Sequence, residues 1–386
     1  MLDTVRVNDR GAARWTRGHP WIFASDVVRS PDEAGLVAVV GSDGRFLGQA
    51  LHSPSSQIRL RLLERREEVR IDPAWWRERI NAALVRRSGI DATAYRVVHA
   101  EGDGLPSLMI DRYDRWLVVQ LLSAGLETMR ADLLQAIDEV LGPKGVLLRN
   151  DGAVRRREGL PQVVELAAGE VPDEIAVREG TIRYLVEPRG GQKTGAFLDQ
   201  RPARMRAGEL MRTGGTALDC FSFHGSFALH LAARAARVVA LDSSADALAR
   251  GARNAALNGF GNLEWREADA FEALRELAKA REQFDLVVVD PPAFAKSKAV
   301  LPQAIRGYQE INLRAMRLVA PGGLLITASC SYHLGWPEFL GMLVSAAKDS
   351  GRRVAVREHL TQGVDHPELL TVPETGYLKG VVLEIE

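Results

Sequence analysis

The sequence predicts an α/β protein. A mostly parallel sheet covered by helices on both faces fills its C-terminal half, preceded by a small β-barrel-like domain and an α+β segment. Three observations carry this. From residue 216 short apolar runs alternate with stretches of helical spacing, the first seventy residues hold only short β-type runs, and the segment between them mixes both.

The N-terminal runs are WIFASDVV, GLVAVV, GRFLGQAL and SQIRLRLLE, broken by Gly, Pro and Asp. DPAWWRERINAALVRRSGI then opens a helix, with an Asp-Pro start and apolar residues at helical spacing, which puts a boundary near Val69 to Asp72. YRVVHAE, LPSLMIDRY and WLVVQLL read as strands, and GLETMRADLLQAIDEVLG as helix. Three domains are therefore expected, at 1–70, 71–186 and 187–386.

In the last of them TALDCF, RVVALD, NLEWREAD, FDLVVVDPP and GGLLITASC are strand runs, each followed by a helical one. Ligands of such sheets bind beyond the carboxyl ends of the strands, so the residues that end strands are the candidates. Asp219, Asp242, Asp269 and Asp290 stand at four successive ends. Any one of them is as readily a turn former. Four in register point to a nucleoside-bearing cofactor, with Asp242 where ribose hydroxyls are held. Neither GxGxxG nor a Walker-type GxxxxGK[ST] is present, and Gly225 alone makes no pyrophosphate cradle, so S-adenosylmethionine suits the pattern better than NAD or ATP.

Composition narrows the classes further. Lys and Arg number 50, as do Asp and Glu, so bulk charge does not hold a nucleic acid, although a local basic face is compatible with RNA. The 2 cysteines give neither a disulfide framework nor a zinc spacing, and no metal is expected. No apolar run approaches the roughly 20 residues of a membrane span, and the start resembles no signal or transit peptide, so the expected location is cytoplasmic without a membrane partner. A homodimer is left open.

LDCFSFHGSFALHLA, LDSSADALARGARNAALNG, FDLVVVDPPAFAKSK and ITASCSYHL resemble the successive motifs of class I S-adenosylmethionine-dependent methyltransferases, whose fold is Rossmann-like with a seven-stranded sheet. More narrowly the chain resembles the PUA-domain-containing enzymes that make 5-methylcytosine in large-subunit ribosomal RNA. HPWIFASDV and SPSSQIRLRLL resemble their PUA domain, EGDGLPSLMIDRY and NDGAVRRREGL the middle domain, and GGQKTGAFLDQR the segment leading into the catalytic domain. The resemblance implies that Asp219, Phe221, Ser222 and Gly225 wrap the methionine part of the cofactor, Asp242 with Ser243 holds the ribose, and Asp269 with Ala270 the adenine. It also implies that Lys193, Thr194, Phe197, Asp199 and Arg201 help close the pocket. Phe223-His224-Gly225 departs from the Tyr-Thr-Gly common in the family, and no catalytic role is assigned to His224.

Carbon 5 of cytosine is a poor nucleophile until a thiolate adds at carbon 6, which calls for a cysteine beside the cofactor methyl. Cys330 ends the strand expected beside that of Asp290. Cys330 is thus the candidate nucleophile and Asp290 the group that contacts the base, with Pro291, Pro292 and Phe294 as a stacking surface for a single-stranded or flipped cytosine. Cys220 is expected to pack in the core. Candidate RNA contacts are Arg14, Arg17, His19, Trp21, Arg59 and Arg61, the run Arg155, Arg156 and Arg157, and Lys296 and Lys298 after the DPPAF segment, though a charge run is as readily a solvated face. Two alternatives stand beside this reading. One is methylation of a purine nitrogen or exocyclic amine, which needs Asp290 but no cysteine; the other is a non-catalytic RNA-binding assembly factor that keeps the fold.

Overall fold

The computed structural model describes residues 2–295 and 297–386, so Lys296 lies outside the described residues. Contacts divide the chain into two compact units that interleave in sequence. One comprises Met1–Val177, Val186–Leu198 and Val364–Gly376, and the other Arg178–Leu185, Asp199–Gly363 and Tyr377–Glu386.

The first unit holds two sheets. A six-stranded sheet runs in the order Trp21–Phe23, Ile58–Glu64, Phe46–His52, Gly35–Val40, Asp3–Val7 and Val27–Arg29. Inward-pointing Val5, Val7, Val37, Val39 and Leu60 close around Trp15. The WIFASDVV run is split by a single 3₁₀ turn, Ala24–Asp26, which brings the buried Asp26 carboxylate to Arg10 at 2.6 Å. A five-stranded sheet follows, packed against helices Pro73–Val85 and Arg130–Leu141 through Trp76, Ile80, Leu133 and Ile137. The first of these helices starts where the sequence indicates. The Asp72 side chain accepts the Ala74 and Trp75 N–H groups, and Pro73 occupies a position whose N–H would have no partner.

The second unit is a seven-stranded sheet of β1 (Thr216–Cys220), β2 (Arg237–Asp242), β3 (Leu263–Glu267), β4 (Phe284–Val289), β5 (Val319–Ser329), β6 (Val354–Leu360) and β7 (Lys379–Ile385), ordered β3-β2-β1-β4-β5-β7-β6. All pairs are parallel except those of β7, which runs antiparallel between β5 and β6. Near-continuous apolar runs such as LVVV suit strands buried on both faces. Helices α1 (Arg201–Leu210) and α2 (Ser226–Ala232) pack on one face through Ala203, Ala207, Phe227 and Leu231 against Ala217, Val238 and Val288. On the other face α4 (Ala270–Lys279), α5 (Leu301–Leu318) and α6 (Trp336–Ser350) cover Leu218, Leu241, Val287 and Leu325. Helix α3 (Ala245–Leu257) connects β2 to β3. The strand order and the single antiparallel strand match the mostly parallel seven-stranded sheet expected for the C-terminal part of the chain. Among the described residues no helix is long and apolar enough to cross a membrane.

Candidate active site

Order 3-2-1-4-5 puts the carboxyl ends of β1, β2, β3, β4 and β5 along one edge of the sheet, with the switch in strand order beside β1. Alternation along β1 sends Cys220 into the core beneath α4 and α5, where burial pushes its thiol up. Asp219 points the other way and its Oδ2 accepts the Ala228 N–H of α2 at 2.9 Å.

The loop after β1 is bent sharply. Phe221, Phe223 and Gly225 all take left-handed backbone angles, with φ of 63°, 51° and 82°, a conformation that side chains oppose and that concentrates at ligand sites. Gly225 answers a steric demand as well, because a Cβ there would meet the Trp265 indole at 2.5 Å. Gly251 on α3 would meet the same ring at 2.5 Å. Backbone bonds from Ser222 N to Leu241 O and from Gly225 N to Ser222 O hold the bend. Asp242 also serves it, as its carboxylate accepts the Phe223 and Ser244 N–H groups at 2.8 and 3.0 Å.

Three polar atoms of this loop region are buried without a hydrogen-bond partner among the described residues, Asp219 Oδ1, Ser222 Oγ and His224 Nδ1. Burial raises the Asp219 pKa well above the ordinary carboxylate range, against the Ala228 bond that lowers it, and the Asp290 and Asp242 charges raise it further. A buried carboxylate with an unused oxygen among acids calls for a cation. S-Adenosylmethionine carries an ammonium and a sulfonium, so the residues present fit it. Ser243 and Asp269 are exposed, while Ala270 is buried; Asp269 also caps α4 by accepting the Glu272 N–H.

His224 is buried rather than solvent-facing. It stacks on Tyr184 at 5.6 Å, and burial followed by the Arg204 charge lowers its pKa to about 3, so the imidazole is neutral. Behind it Glu179 accepts from Arg204 Nε and Nη2, at 2.8 and 2.6 Å, and lies 2.9 Å from His230 Nε2. Burial works to raise the Glu179 pKa, but the Arg204 and His230 contacts overcome it and hold it at about 2.

Strands β4 and β5 pair in parallel up to Val289 and Thr327. Continuing that register sets Asp290 level with Ala328, two residues short of Cys330, so both side chains emerge at the same edge. Cys330 is half-buried, unlike Cys220. Asp290 Oδ1 accepts the Gln200 amide at 2.9 Å, and Lys379 Nζ donates to the Ser331 carbonyl at 3.2 Å. Gln200, Lys379 and the serines beside Cys330 were not candidates from sequence. Gln200 and Lys379 are brought in by segments remote in the chain, and nothing local marks them.

Asp199 and Arg201 belong to the same unit. Asp199 accepts the Tyr377 hydroxyl at 2.6 Å, and Arg201 opens α1. Lys193, Thr194 and Phe197 belong to the other unit, where Thr194 donates to Asp111 at 2.6 Å and Lys193 lies over the Phe197 ring at 4.5 Å. Pro291 is buried, which removes it from the expected stacking surface. Pro292 is exposed, and with Phe294, Phe271 and Arg306 it lines an open cleft of about 840 Å³.

Two of the expected RNA contacts are corrected. Arg61 is 4% exposed and paired to Glu158 at 2.8 Å; Arg155 is 1% exposed and paired to Glu127 at 2.8 Å, with Pro161 O at 2.9 Å. A buried guanidinium whose donors are satisfied by a carboxylate and carbonyls does not reach a phosphate. Arg14 is half-buried over Phe23, Trp21 donates to Glu101, and His19 lies 3.6 Å from Glu374. Arg59 is half-buried, whereas Arg17, Arg156, Arg157 and Lys298 are exposed.

A model of the S-adenosylmethionine-dependent methyltransferase family matches residues 98–381, and one of a PUA-like domain matches residues 5–65. A ribosomal RNA large subunit methyltransferase I from Tolumonas auensis is 40% identical over 395 residues, covering 99% of each chain. A protein of the same description from Aeromonas salmonicida is 40% identical over 380 residues, covering 95% of each. Among solved structures, one described as a SAM-dependent methyltransferase from Streptococcus mutans superposes with a TM-score of 0.83 at 18% identity, over 100% of both chains. A methyltransferase complexed with SAH does so with a TM-score of 0.85 at 19% identity, again over 100% of both.

Proposed function

The chain belongs to the S-adenosylmethionine-dependent methyltransferase family, and on that premise we propose that it forms 5-methylcytosine in large-subunit ribosomal RNA with Cys330 as nucleophile. The observation that carries the reading is that a half-buried Cys330 follows β5 and Asp290 follows the neighbouring β4, just beyond the ends of two paired strands. The curated relatives, described as large-subunit ribosomal RNA methyltransferases, supply the substrate class.

Asp219, Phe221, Ser222 and Gly225 hold the methionine end of the cofactor, Asp242 and Ser243 the ribose, and Asp269 and Ala270 the adenine. When bound, S-adenosylmethionine supplies a methyl group activated by its sulfonium. Cys330 as thiolate bonds to carbon 6 of the cytosine, and electron density moves to carbon 5, which becomes nucleophilic. Asp290, steadied by Gln200, contacts the base at its ring nitrogen and amine. After methylation the carbon 5 proton leaves to a base and the carbon 6–sulfur bond breaks, restoring the thiolate. The exposed Pro292 and the half-buried Phe294 offer the flipped base an apolar platform. Exposed Arg17, Arg156, Arg157 and Lys298 contact phosphates.

The test uses unmodified large-subunit ribosomal RNA transcribed with 5-fluorocytidine, since fluorine blocks the last elimination. The expected result is a covalent RNA–protein adduct that needs S-adenosylmethionine and is lost in Cys330→Ala. No adduct together with full activity of Cys330→Ala overturns the reading, and a methylated purine in nucleoside mass spectra replaces it with amine or ring-nitrogen methylation.

A further inference from the structure

The last rung of the β4–β5 ladder is Val289 with Thr327, so neither Asp290 nor Cys330 is fixed by that ladder. Beyond it the two segments are joined through one phenol. Tyr308, fully buried on α5, receives the Ser329 hydroxyl at 3.0 Å and the Phe294 N–H at 3.3 Å. Its oxygen lies 2.9 Å from Ser331 Oγ, which also accepts the Ala295 N–H at 3.3 Å. The Ser331 N–H in turn bonds Ser329 Oγ at 3.2 Å.

Proton counting leaves one arrangement. Ser329 donates its hydroxyl to Tyr308, so Tyr308 already accepts twice, and its own proton goes to Ser331 Oγ. The phenol is then saturated, with one bond donated and two accepted. Its partners are the two serines that flank Cys330 on one side, and on the other the backbone four residues beyond Asp290, with Ala295 joined through Ser331. Burial raises the phenol's pKa, so it remains a neutral donor at any working pH.

We propose that Tyr308 is a positioning residue for the reaction, its hydroxyl cross-bracing the Cys330 turn to the loop behind Asp290 so that the attacking sulfur and the base-contacting carboxylate keep one separation. The inference rests on Cys330 being the nucleophile. Displacing a reacting atom by about 1 Å costs on the order of 100-fold in rate, without a matching loss of binding. In this role Tyr308 acts through Ser329, Ser331 and the loop.

Tyr308→Phe keeps the ring, which packs on Phe294 at 4.6 Å, and deletes only the hydroxyl. Single-turnover adduct formation with the 5-fluorocytidine transcript is expected to slow roughly 10- to 100-fold. Affinities for S-adenosylmethionine and for RNA should stay within about threefold, a split between rate and binding that general loosening of the fold does not give. Ser331→Ala should slow the step similarly, and the double variant should be no slower than the worse single one, because the hydroxyls act as a unit. If Tyr308→Phe fails to fold, Ser329→Ala and Ser331→Ala carry the same measurement. An adduct formed by the variants at the wild-type rate, or slowed only as binding weakens, overturns the proposal while Cys330 keeps its role. A wild-type protein that forms no adduct overturns both.

Discussion

The loop after β1 and the turn after β5 leave the same edge of one sheet, yet they are built in opposite ways. The first holds two non-glycine residues in left-handed geometry and buries a carboxylate oxygen, a hydroxyl and an imidazole nitrogen without partners among the described residues. Around the second, the hydroxyls of Ser329, Ser331 and Tyr308 are bonded to one another, and two loop N–H groups feed into them. Unsatisfied polar atoms are costly in the free protein and become an asset only when a charged ligand arrives. A satisfied network holds its geometry without one. On the proposed reading, the cofactor end of the site is therefore completed by its ligand, whereas the end that carries Cys330 is organised in advance.

The sharpest way to break this contrast is at the sulfur. Cys330→Ala should lower methyl transfer by about 10⁴-fold or more while S-adenosylmethionine still binds, measured by tritiated methyl incorporation and calorimetry. The next largest effect lies behind the first loop. Glu179→Gln removes the carboxylate that pairs with the buried Arg204 and should cost roughly 3–5 kcal/mol in urea unfolding. It should also change the acid limb of stability. Glu179 is held at about 2 in the fold against 4.5 ordinarily, so its stabilising pairing is present above 4.5 and is lost as pH falls from there towards 2. His224, lowered to about 3 from 6.5, stabilises when neutral, and that contribution fades as pH falls below 6.5. Asp219, raised by burial, works against the His224 contribution above pH 4, so the clear fall in wild-type unfolding midpoints should come below 4.5; in Glu179→Gln that fall should be shallower, with the share owed to Glu64, also held at about 2, remaining.

Asp219→Asn tests the cost of the incomplete end directly. A carboxylate whose pKa is raised by burial costs stability once pH exceeds its unfolded value near 4. The variant should melt at a higher temperature than the ligand-free wild type and bind S-adenosylmethionine roughly 10- to 100-fold more weakly. A lower melting temperature would show that the unpaired oxygen is not a cost. The smallest expected effects are at the exposed arginines of the other unit that are proposed to contact RNA. Arg17→Ala and Arg156→Ala should each weaken RNA binding a few-fold and reduce the salt dependence by about one counterion. Arg61→Ala should instead lower stability and leave the salt slope unchanged, because its partner is Glu158.

The same contrast marks what could be read from the sequence. Strand-end acids were legible because a parallel sheet sends every strand's carboxyl end to one edge, so Asp219, Asp242 and Asp290 needed only the alternation of runs to be found. Arg61 and Arg155 were misjudged since a charge reveals nothing about its partner, and their carboxylates stand 97 and 28 residues away. Tyr308 reads as one more apolar residue on the buried stripe of α5; its hydroxyl acquires meaning only when β5 and the loop after β4 converge on it. The interleaving of the two units was equally hidden, because Val364–Gly376 rejoins the first unit through tertiary contacts that carry no periodic signature.

Trp265 ties the cofactor loop to a residue outside the reaction. Its indole occupies the space that side chains at both 225 and 251 would claim, so the three positions form a steric exchange group: a chain can enlarge residue 251 only by shrinking residue 265. Gly225 stays constrained in either case by its left-handed backbone. In a set of related sequences, a small residue at 251 should accompany a bulky ring at 265, and alanine or serine at 251 should appear where that ring has been reduced. The curvature of the cofactor loop is in this sense inherited from the edge strand, and its history should be legible there first.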